Sequence, residues 1–185
     1  MVTKTDTTTI VTAPKTEEVS LPSFKRWLKH FFYMPASKRF FNVQDQHAIT
    51  QAVTQAEQGH VGEIQVVIEG HIPANQAYVQ DVQARARQLF AELGVWDTEL
   101  NSGVLLYINL CERQVEIVID RGICKATTQH VWDDICVQMI SELKQQHFRQ
   151  AVILGVQRIG DVLNHYYAGK VENIENEIEN RPIIL

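Results

Sequence analysis

The chain lacks any hydrophobic run long enough to cross a membrane. A spanning helix needs about 20 consecutive apolar residues, and no such run occurs in the 185 residues. The opening sequence MVTKTDTTTIVTAP also lacks the continuous apolar core of a secretory signal. We therefore expect a cytoplasmic protein, which contacts a membrane, if at all, only from its periphery.

Cysteine is scarce and follows no recognised pattern. Cys111, Cys124 and Cys136 are an odd number and contain no Cys-x-x-Cys spacing. This excludes a full disulfide framework and gives no sign of a zinc site. We expect buried, reduced thiols, the usual state of free cysteine in the cytoplasm.

The familiar motifs of hydrolytic catalysis are missing as well. There is no DxDxT, RHG, GxSxG or P-loop GK[ST] sequence, and no histidines stand four residues apart. A cysteine phosphatase needs an arginine six residues after its cysteine to hold phosphoryl oxygens, but Ile117, His130 and Glu142 occupy those positions. Any hydrolysis would have to be assisted by a metal held by carboxylates.

The net charge of −5 is unevenly distributed. Residues 1–42 contain seven Lys and Arg against three Asp and Glu, a net charge of +4. Residues 43–168 carry −7 and the last 17 residues −2. Because phosphate backbones are bound by a concentrated basic face, the acidic body predicts that nucleic acid is not a partner.

Composition divides the chain into four parts. Residues 1–20 are rich in threonine and are expected to form a disordered tail. Residues 21–39 have the pattern of a basic amphipathic helix, and residues 40–168 form the globular domain. Residues 169–185 form an acidic tail, whose terminal PIIL is suited to an edge strand or to packing in a groove.

The segment 21–39 allows two interpretations. Its apolar residues recur at helical spacing, and its basic residues lie opposite them: Phe24, Trp27, Leu28, Phe31 and Phe32 against Lys25, Arg26, Lys29 and His30. In the first interpretation the helix docks its aromatic face on the domain. In the second it binds an anionic membrane surface or an unidentified protein partner, through a surface formed by Lys25, Arg26, Trp27, Lys29 and Phe31.

Hydrophobic periodicity predicts a mixed α/β domain. The predicted elements are a helix at 44–58, a strand at 63–69, a helix at 76–93, strands at 103–110 and 115–119, and helices at 128–144 and 150–167. The crossover helix makes the first two strands parallel, and a short turn makes the last two an antiparallel hairpin. We expect a three-layer α/β/α sandwich, with a small mixed sheet covered by helices on both faces.

Acidic residues flank the predicted hairpin. Asp97 and Glu99 precede its first strand, and Asp120 follows its second, so an antiparallel pairing brings them to the same end of the sheet. Asn101 adds a neutral oxygen. Because hard cations prefer oxygen ligands, these four residues are candidates for binding Ca²⁺ or Mg²⁺.

Each of these acids also has a purely structural interpretation. Asp97 fits a turn after Trp96, and Asp120 with Arg121 fits a loop held by polar contacts. Asp133 and Asp134 are further ligand candidates, but they also oppose the dipole of the helix in which they lie.

Three motifs, in order, resemble the TPM domain family, named after a thylakoid lumen protein, a photosystem repair protein and a membrane protein. They are GHVGEIQVV, ARQLFAELGVWDTELNSGVLLYI and VEIVIDRGI, followed by a helix pair, and together they cover residues 40–167. The chain is most similar to the soluble bacterial branch. Two positions differ from the family pattern, since Ser102 replaces a second asparagine and Cys124 follows the DRGI.

The resemblance implies a loop-lined groove at one end of the sheet, divalent cation binding, weak acid-phosphatase activity and a link to membrane complexes. Two hypotheses follow. The first is a non-catalytic binding or assembly module for a protein or membrane-associated partner. The second is a metal-dependent, phosphatase-like hydrolase acting on phosphate esters. The lack of a nucleophile with a convincing partner favours the first.

Overall fold

A computed structural model describes residues 21–33, 40–167 and 176–185, and the backbone of residues 8–10. Its centre is a five-stranded sheet with the order β1-β4-β3-β2-β5. The strands are β1 (Thr8–Ile10), β2 (Glu63–Glu69), β3 (Gly103–Asn109), β4 (Gln114–Ile119) and β5 (Ile183–Ile184). The three long strands agree with the sequence prediction to within one residue at each end.

The pairing of the strands is the mixed one expected. β2 and β3 run parallel, while β3 and β4 form the antiparallel hairpin. The amino ends of β2 and β3 therefore lie at the same end of the sheet as the carboxyl end of β4. We call this the rim end, and the opposite end, which holds the β3–β4 turn, the turn end.

Helices cover both faces of the sheet, which confirms the predicted sandwich. Their bounds are α1 (Phe24–Phe32), α2 (Val43–Ala56), α3 (Ala74–Ala77), α4 (Val82–Glu92), α5 (Arg121–Cys124), α6 (Gln129–Lys144) and α7 (Phe148–Tyr167). One core packs α2, α6 and α7 against strand residues such as Ile64 and Leu106. The other packs α3 and α4 against residues such as Val67 and Leu105. Since strand residues alternate between faces, a strand buried on both sides reads as a continuous apolar run.

The predicted helix at 76–93 is wrong as a single element. The structure has α3 and α4 instead, separated by residues 78–81. Asp81 is extended, with φ −89° and ψ −179°, and its Oδ1 accepts a hydrogen bond of 2.8 Å from the Ala84 amide. This is the geometry of a helix N-cap, so the chain starts a new helix inside an apolar pattern that continues across the break.

The two ends of the chain contribute edge strands. Residues 8–10 pair in parallel with β4, so the prediction of a disordered tail is wrong for these three residues. β5 pairs in parallel with β2, which realises the edge-strand alternative for the terminal PIIL. Both additions satisfy backbone groups that the edges of a sheet otherwise leave open. Residues 1–7, 11–20, 34–39 and 168–175 lie outside the described residues, and with them the rest of both tails and the end of the segment 21–39.

Candidate functional site

The rim end brings the predicted acidic segments together. The Asp120 amide donates a hydrogen bond of 3.0 Å to the Gly103 carbonyl, so the end of β4 lies beside the start of β3. The loop carrying Asp97 and Glu99 enters β3 at the same point, and both side chains are exposed. The backbone segments that carry Asp97, Glu99 and Asp120 therefore lie side by side, as the hairpin predicted.

Asn101 and Arg121 fasten the two rim loops to each other. Arg121 Nε donates to Asn101 Oδ1 at 2.7 Å, and the Gly122 amide donates to the Asn101 carbonyl at 3.0 Å. Asn101 adopts φ 54°, the left-handed conformation that asparagine tolerates better than most residues. Its amide oxygen is thus engaged by a guanidinium, which adds positive charge beside the proposed cation ligands.

Asp120 is almost fully buried, at 7% exposure. Its Oδ1 accepts a hydrogen bond of 2.6 Å from the Arg121 amide, while its Oδ2 has no hydrogen-bond partner among the described residues. Burial raises the pKa of Asp120, and the Arg121 amide and charge oppose that rise. A buried carboxylate oxygen without a partner is costly, and this is the structural feature that most favours a ligand at the rim.

Ser102 holds the backbone and is not presented to a ligand. It is 1% exposed, its Oγ donates to the Val61 carbonyl at 2.6 Å, and its amide donates to Thr98 Oγ1 at 2.8 Å. Ser102 therefore joins the loop before β3 to the segment before β2.

The further candidates Asp133 and Asp134 contact their own helix. Gln129 Nε2 donates to Asp133 Oδ1 at 2.9 Å, and His130 Nδ1 lies 3.4 Å from Asp134 Oδ1. Both pairs are spaced four residues apart on α6, as expected for neighbours on one helix face.

Sequence reasoning missed a second acidic group at the rim end. Burial raises the pKa of Glu57 to about 8, an amide hydrogen bond from Ile64 opposes this, and the charge of Glu63 adds to it. Burial also raises the pKa of Glu63, which accepts hydrogen bonds from the amides of Glu177 and Ile178. Glu177 in turn accepts from the Glu99 amide at 3.1 Å. Carboxylates therefore hold the C-terminal segment at the rim end. These contacts form because the segment folds back onto the sheet, and local sequence patterns do not show such a contact.

One group within the described ranges meets the geometric requirement for three metal ligands: His30, Cys111 and Glu112, whose ligand atoms lie within 4.8 Å of one another at the turn end. His30 Nδ1 accepts a hydrogen bond of 3.0 Å from the Ile72 amide, so the neutral ring carries its proton on Nε2. Metal-bound histidines normally donate from the second nitrogen. Burial and the Glu112 charge raise the pKa of Cys111 to about 11, while Lys29 opposes them, so the thiol stays protonated. The group fits a structural contact better than a metal site.

These contacts attach α1 to the body by its polar face. His30 is fully buried, with Nε2 3.0 Å from Glu112 Oε1, and Lys29 Nζ lies 2.6 Å from Glu112 Oε2. Arg26 Nε donates to the Ala77 carbonyl at 2.6 Å. The Ser23 amide donates to the Tyr78 carbonyl at 2.8 Å, and Ser23 also caps the helix. Basic residues that the helical pattern placed on an outer face are thus the ones that anchor the helix.

The opposite face of α1 is apolar and exposed. Its side chains are exposed by 66% for Phe24, 40% for Leu28, 58% for Phe31 and 71% for Phe32. Phe24, Trp27 and Phe31 stack in sequence with ring centroids 5.1 and 5.2 Å apart. We call the residues Phe24, Leu28, Phe31 and Phe32 the outer face of α1. The interpretation in which the aromatic face docks on the domain is therefore wrong.

No helix among the described residues is long and apolar enough to cross a membrane. The fold and the two loop-bearing ends define a small α/β/α domain with a mixed sheet. The chain belongs to the TPM domain family, whose model matches residues 36–162. The resemblance inferred from the motifs is thereby confirmed, while the branch within the family stays a prediction.

Solved structures agree with this assignment. The NMR structure of the BA42 protein from the psychrophilic bacterium Bizionia argentinensis is similar, with a TM-score of 0.69 and 28% identity over 78% of this chain and 95% of that one. The N-terminal domain of a P. gingivalis protein, also solved by NMR, has a TM-score of 0.59 at 17% identity over 74% and 83% of the two chains. That second likeness shows the fold alone. No curated protein matches the chain.

Proposed function

We propose that this protein is a non-catalytic binding module for a membrane-associated partner, and that it binds through the outer face of α1. One observation carries the proposal: α1 uses its polar face to attach to the body and leaves four large apolar side chains exposed. Contiguous exposed apolar patches are uncommon on soluble domains and mark interaction surfaces.

The mode of attachment supports binding through a prefolded helix. Arg26 donates to a backbone carbonyl of the body, and His30 accepts from a backbone amide of the body. Lys29 forms an ion pair with Glu112 in the β3–β4 turn. A surface that is ordered before binding avoids the entropic cost of folding during association. The partner would therefore meet a rigid stripe of aromatic rings.

The hydrolase alternative has weaker support. Metal-assisted hydrolysis needs carboxylates that face both the metal and a substrate. Of the four predicted ligands at the rim, Asp120 is buried and Asn101 is engaged by Arg121, which leaves Asp97 and Glu99 exposed.

The binding proposal is tested by sedimentation with washed bacterial membranes, which contain both lipids and proteins. We expect the full chain to sediment with them, and the variant Phe24→Ser/Phe31→Ser to remain in the supernatant. Trp96→Ser is the matched control, because Trp96 is also exposed, by 53%, but lies in the rim loop. Loss of sedimentation in the control alone, or in neither variant, contradicts the proposal.

A parallel assay addresses catalysis. Incubation with p-nitrophenyl phosphate and either Ca²⁺ or Mg²⁺ should give no turnover above a blank without protein. Turnover that disappears in Asp120→Asn, with an unchanged circular dichroism spectrum, would establish the hydrolase instead.

We also propose that the rim takes up Ca²⁺ or Mg²⁺ through Asp97, Glu99 and Asp120. Their ligand oxygens are not gathered within 4.8 Å of one another in the structure, so the exposed loop that carries Asp97 and Glu99 would have to close on the ion. The support is the Oδ2 of Asp120, which has no hydrogen-bond partner in the described part of the chain. The positive charge of Arg121 opposes a cation there, so binding should be weak. Calorimetry should show heat with the wild type and none with Asp97→Asn/Asp120→Asn. A variant that binds as well as the wild type excludes this site.

A further inference from the structure

We infer that the surface which covers the outer face of α1 is an anionic lipid bilayer. This inference rests on the proposed function and names the chemistry of the partner. It follows from the arrangement of charged and apolar side chains on α1, from the shape of the exposed face, and from the charge of the rest of the chain.

Two lysines lie along one edge of the outer face of α1. Phe24, Leu28 and Phe32 follow one another at four-residue intervals, and Lys25 and Lys29 form the adjacent row at the same interval. Both lysines are exposed. Rows spaced by four residues run side by side along a helix. A helix that lies in a membrane interface has this cross-section, with aromatic and aliphatic side chains entering the acyl boundary and lysines beside them at the headgroups.

The exposed face is also shaped for a flat partner. It is the outer side of a single helix of nine residues, about 14 Å long at 1.5 Å per residue. Its apolar side chains project from this convex surface. A bilayer admits such a row of projecting side chains without a matching groove.

Charge complementarity selects an anionic surface and sets the orientation. Residues 21–33 contain Lys25, Arg26 and Lys29 and no acidic residue, whereas residues 43–168 carry a net charge of −7. An anionic bilayer therefore attracts the α1 side and repels the body. Repulsion between the anionic bilayer and the acidic body favours contact through α1 alone.

The contacts between α1 and the body keep the outer face of α1 exposed to solvent. Arg26 and His30 lie on the side of the helix opposite the stripe and bond to the body, so contact with lipid does not require α1 to detach. Lys25 is the basic residue best placed for a headgroup, because Lys29 is already paired with Glu112 at 2.6 Å.

Flotation with protein-free vesicles tests the inference. Vesicles of equal parts phosphatidylglycerol and phosphatidylcholine should carry the full chain upward, and pure phosphatidylcholine vesicles should carry much less. Phe24→Ser/Phe31→Ser should lower the partition coefficient at least tenfold. Lys25→Gln should lower it about fivefold, the effect of roughly one basic residue near an anionic surface, and this loss should shrink at high salt because charges are screened there.

Trp96→Ser is again the matched control and should float like the wild type, and circular dichroism confirms that each variant is folded. If the wild type sediments with native membranes in a manner dependent on α1 but does not float with anionic vesicles, the partner is a membrane protein; the lipid inference then fails and the proposed function stands. If the wild type neither floats nor sediments, both fail. If sedimentation velocity shows a dimer that Phe24→Ser/Phe31→Ser dissociates, and flotation is absent, a second copy covers the face and the inference is wrong.

Discussion

The two ends of the sheet use their polar groups in opposite ways. At the rim end, side chains and backbone groups from three loops bond to one another, as the contacts of Asn101 with Arg121 and Ser102 with Val61 show. At the turn end, polar groups hold a separate helix, and the apolar side chains of that helix are left in solvent. Many polar groups of the rim are therefore engaged in structural contacts, although Asp120 Oδ2 lacks a partner among the described residues. The turn end instead exposes an apolar helix face. Polar residues near strand ends can be engaged in structural contacts, as Asn101 is, so their position alone does not identify a site.

The largest loss of stability is expected from a substitution at the rim end. A Cβ at Gly103 would overlap the backbone carbonyl of Val95, which lies over β3. Gly103→Ala should lower the free energy of unfolding by ~3 kcal/mol, because the loop must move away from the sheet. Chemical denaturation measures this loss.

Gly94→Ala provides the matched control for Gly103→Ala. Gly94 has φ +67°, and no atom lies within 4 Å of the position that a Cβ would take there. Alanine should therefore cost only the backbone strain of about 1 kcal/mol. Equal losses in the two variants would show that the close approach of Val95 and β3 does not govern the stability of the rim.

A smaller effect is expected at the turn end. His30→Ala leaves the Ile72 amide without its acceptor and removes the ring that faces Glu112. The loss of a buried hydrogen bond costs about 1–3 kcal/mol, and here it should release α1 while the body stays folded. Hydrogen exchange should show faster exchange of the amides in α1.

Phe31→Ser is the control for this second variant, because Phe31 is exposed on the same helix. It should leave the exchange rates of α1 close to those of the wild type. If His30→Ala unfolds the whole domain cooperatively, α1 is part of the core and the contrast between the two ends disappears.

The smallest expected effect is a difference between the two ends in how the free energy of unfolding depends on pH. Glu57 has its pKa raised from 4.5 to about 8 in the folded protein. The folded state therefore binds more protons than the unfolded state between these values, and stability at the rim should fall as the pH rises from 4.5 to 8. Glu57→Gln should flatten this part of the stability profile, and an unchanged slope would exclude Glu57 as its source.

Glu112 should give the opposite sign at the turn end. Burial raises the pKa of Glu112, but the nearby His30 ring and the Lys29 ammonium outweigh burial and lower the pKa from 4.5 to about 2. Its contribution is present above pH 4.5 and is lost as the pH falls toward 2. Below pH 4.5 the contribution of Glu57 to stability no longer changes, so acid should release α1 without a further effect from Glu57. Hydrogen exchange of the α1 amides, measured as a function of pH, tests this.

Much of the fold was predictable because its strands are buried on both faces. β3 is a nearly continuous apolar run, and β2 has a central apolar stretch from Val66 to Ile68. The short turn after β3 makes the hairpin the natural pairing. The break between α3 and α4 was not predictable from periodicity, because the apolar positions continue across it. Asp81 as a helix cap was the signal available.

The site was predictable only in part. The hairpin implied that Asp97, Glu99 and Asp120 share one end of the sheet, but not that Arg121 would engage Asn101 between them. Glu57 and Glu63 escaped notice because their partners, Asn180 and the amides of Glu177 and Ile178, come from the far end of the chain.

The sequence by itself determined the α/β/α sandwich, the family and the amphipathic character of α1, since these depend on local periodicity and on the order of short motifs. The face of α1 that meets the body depends on tertiary contacts. Helical spacing states which residues share a face, but the choice depends on acceptors from distant segments, the Ala77 carbonyl and the Glu112 carboxylate, and on the Ile72 amide donor. Because those partners satisfy the polar side of the helix, its aromatic side is left outward, and the proposed binding surface depends on that orientation.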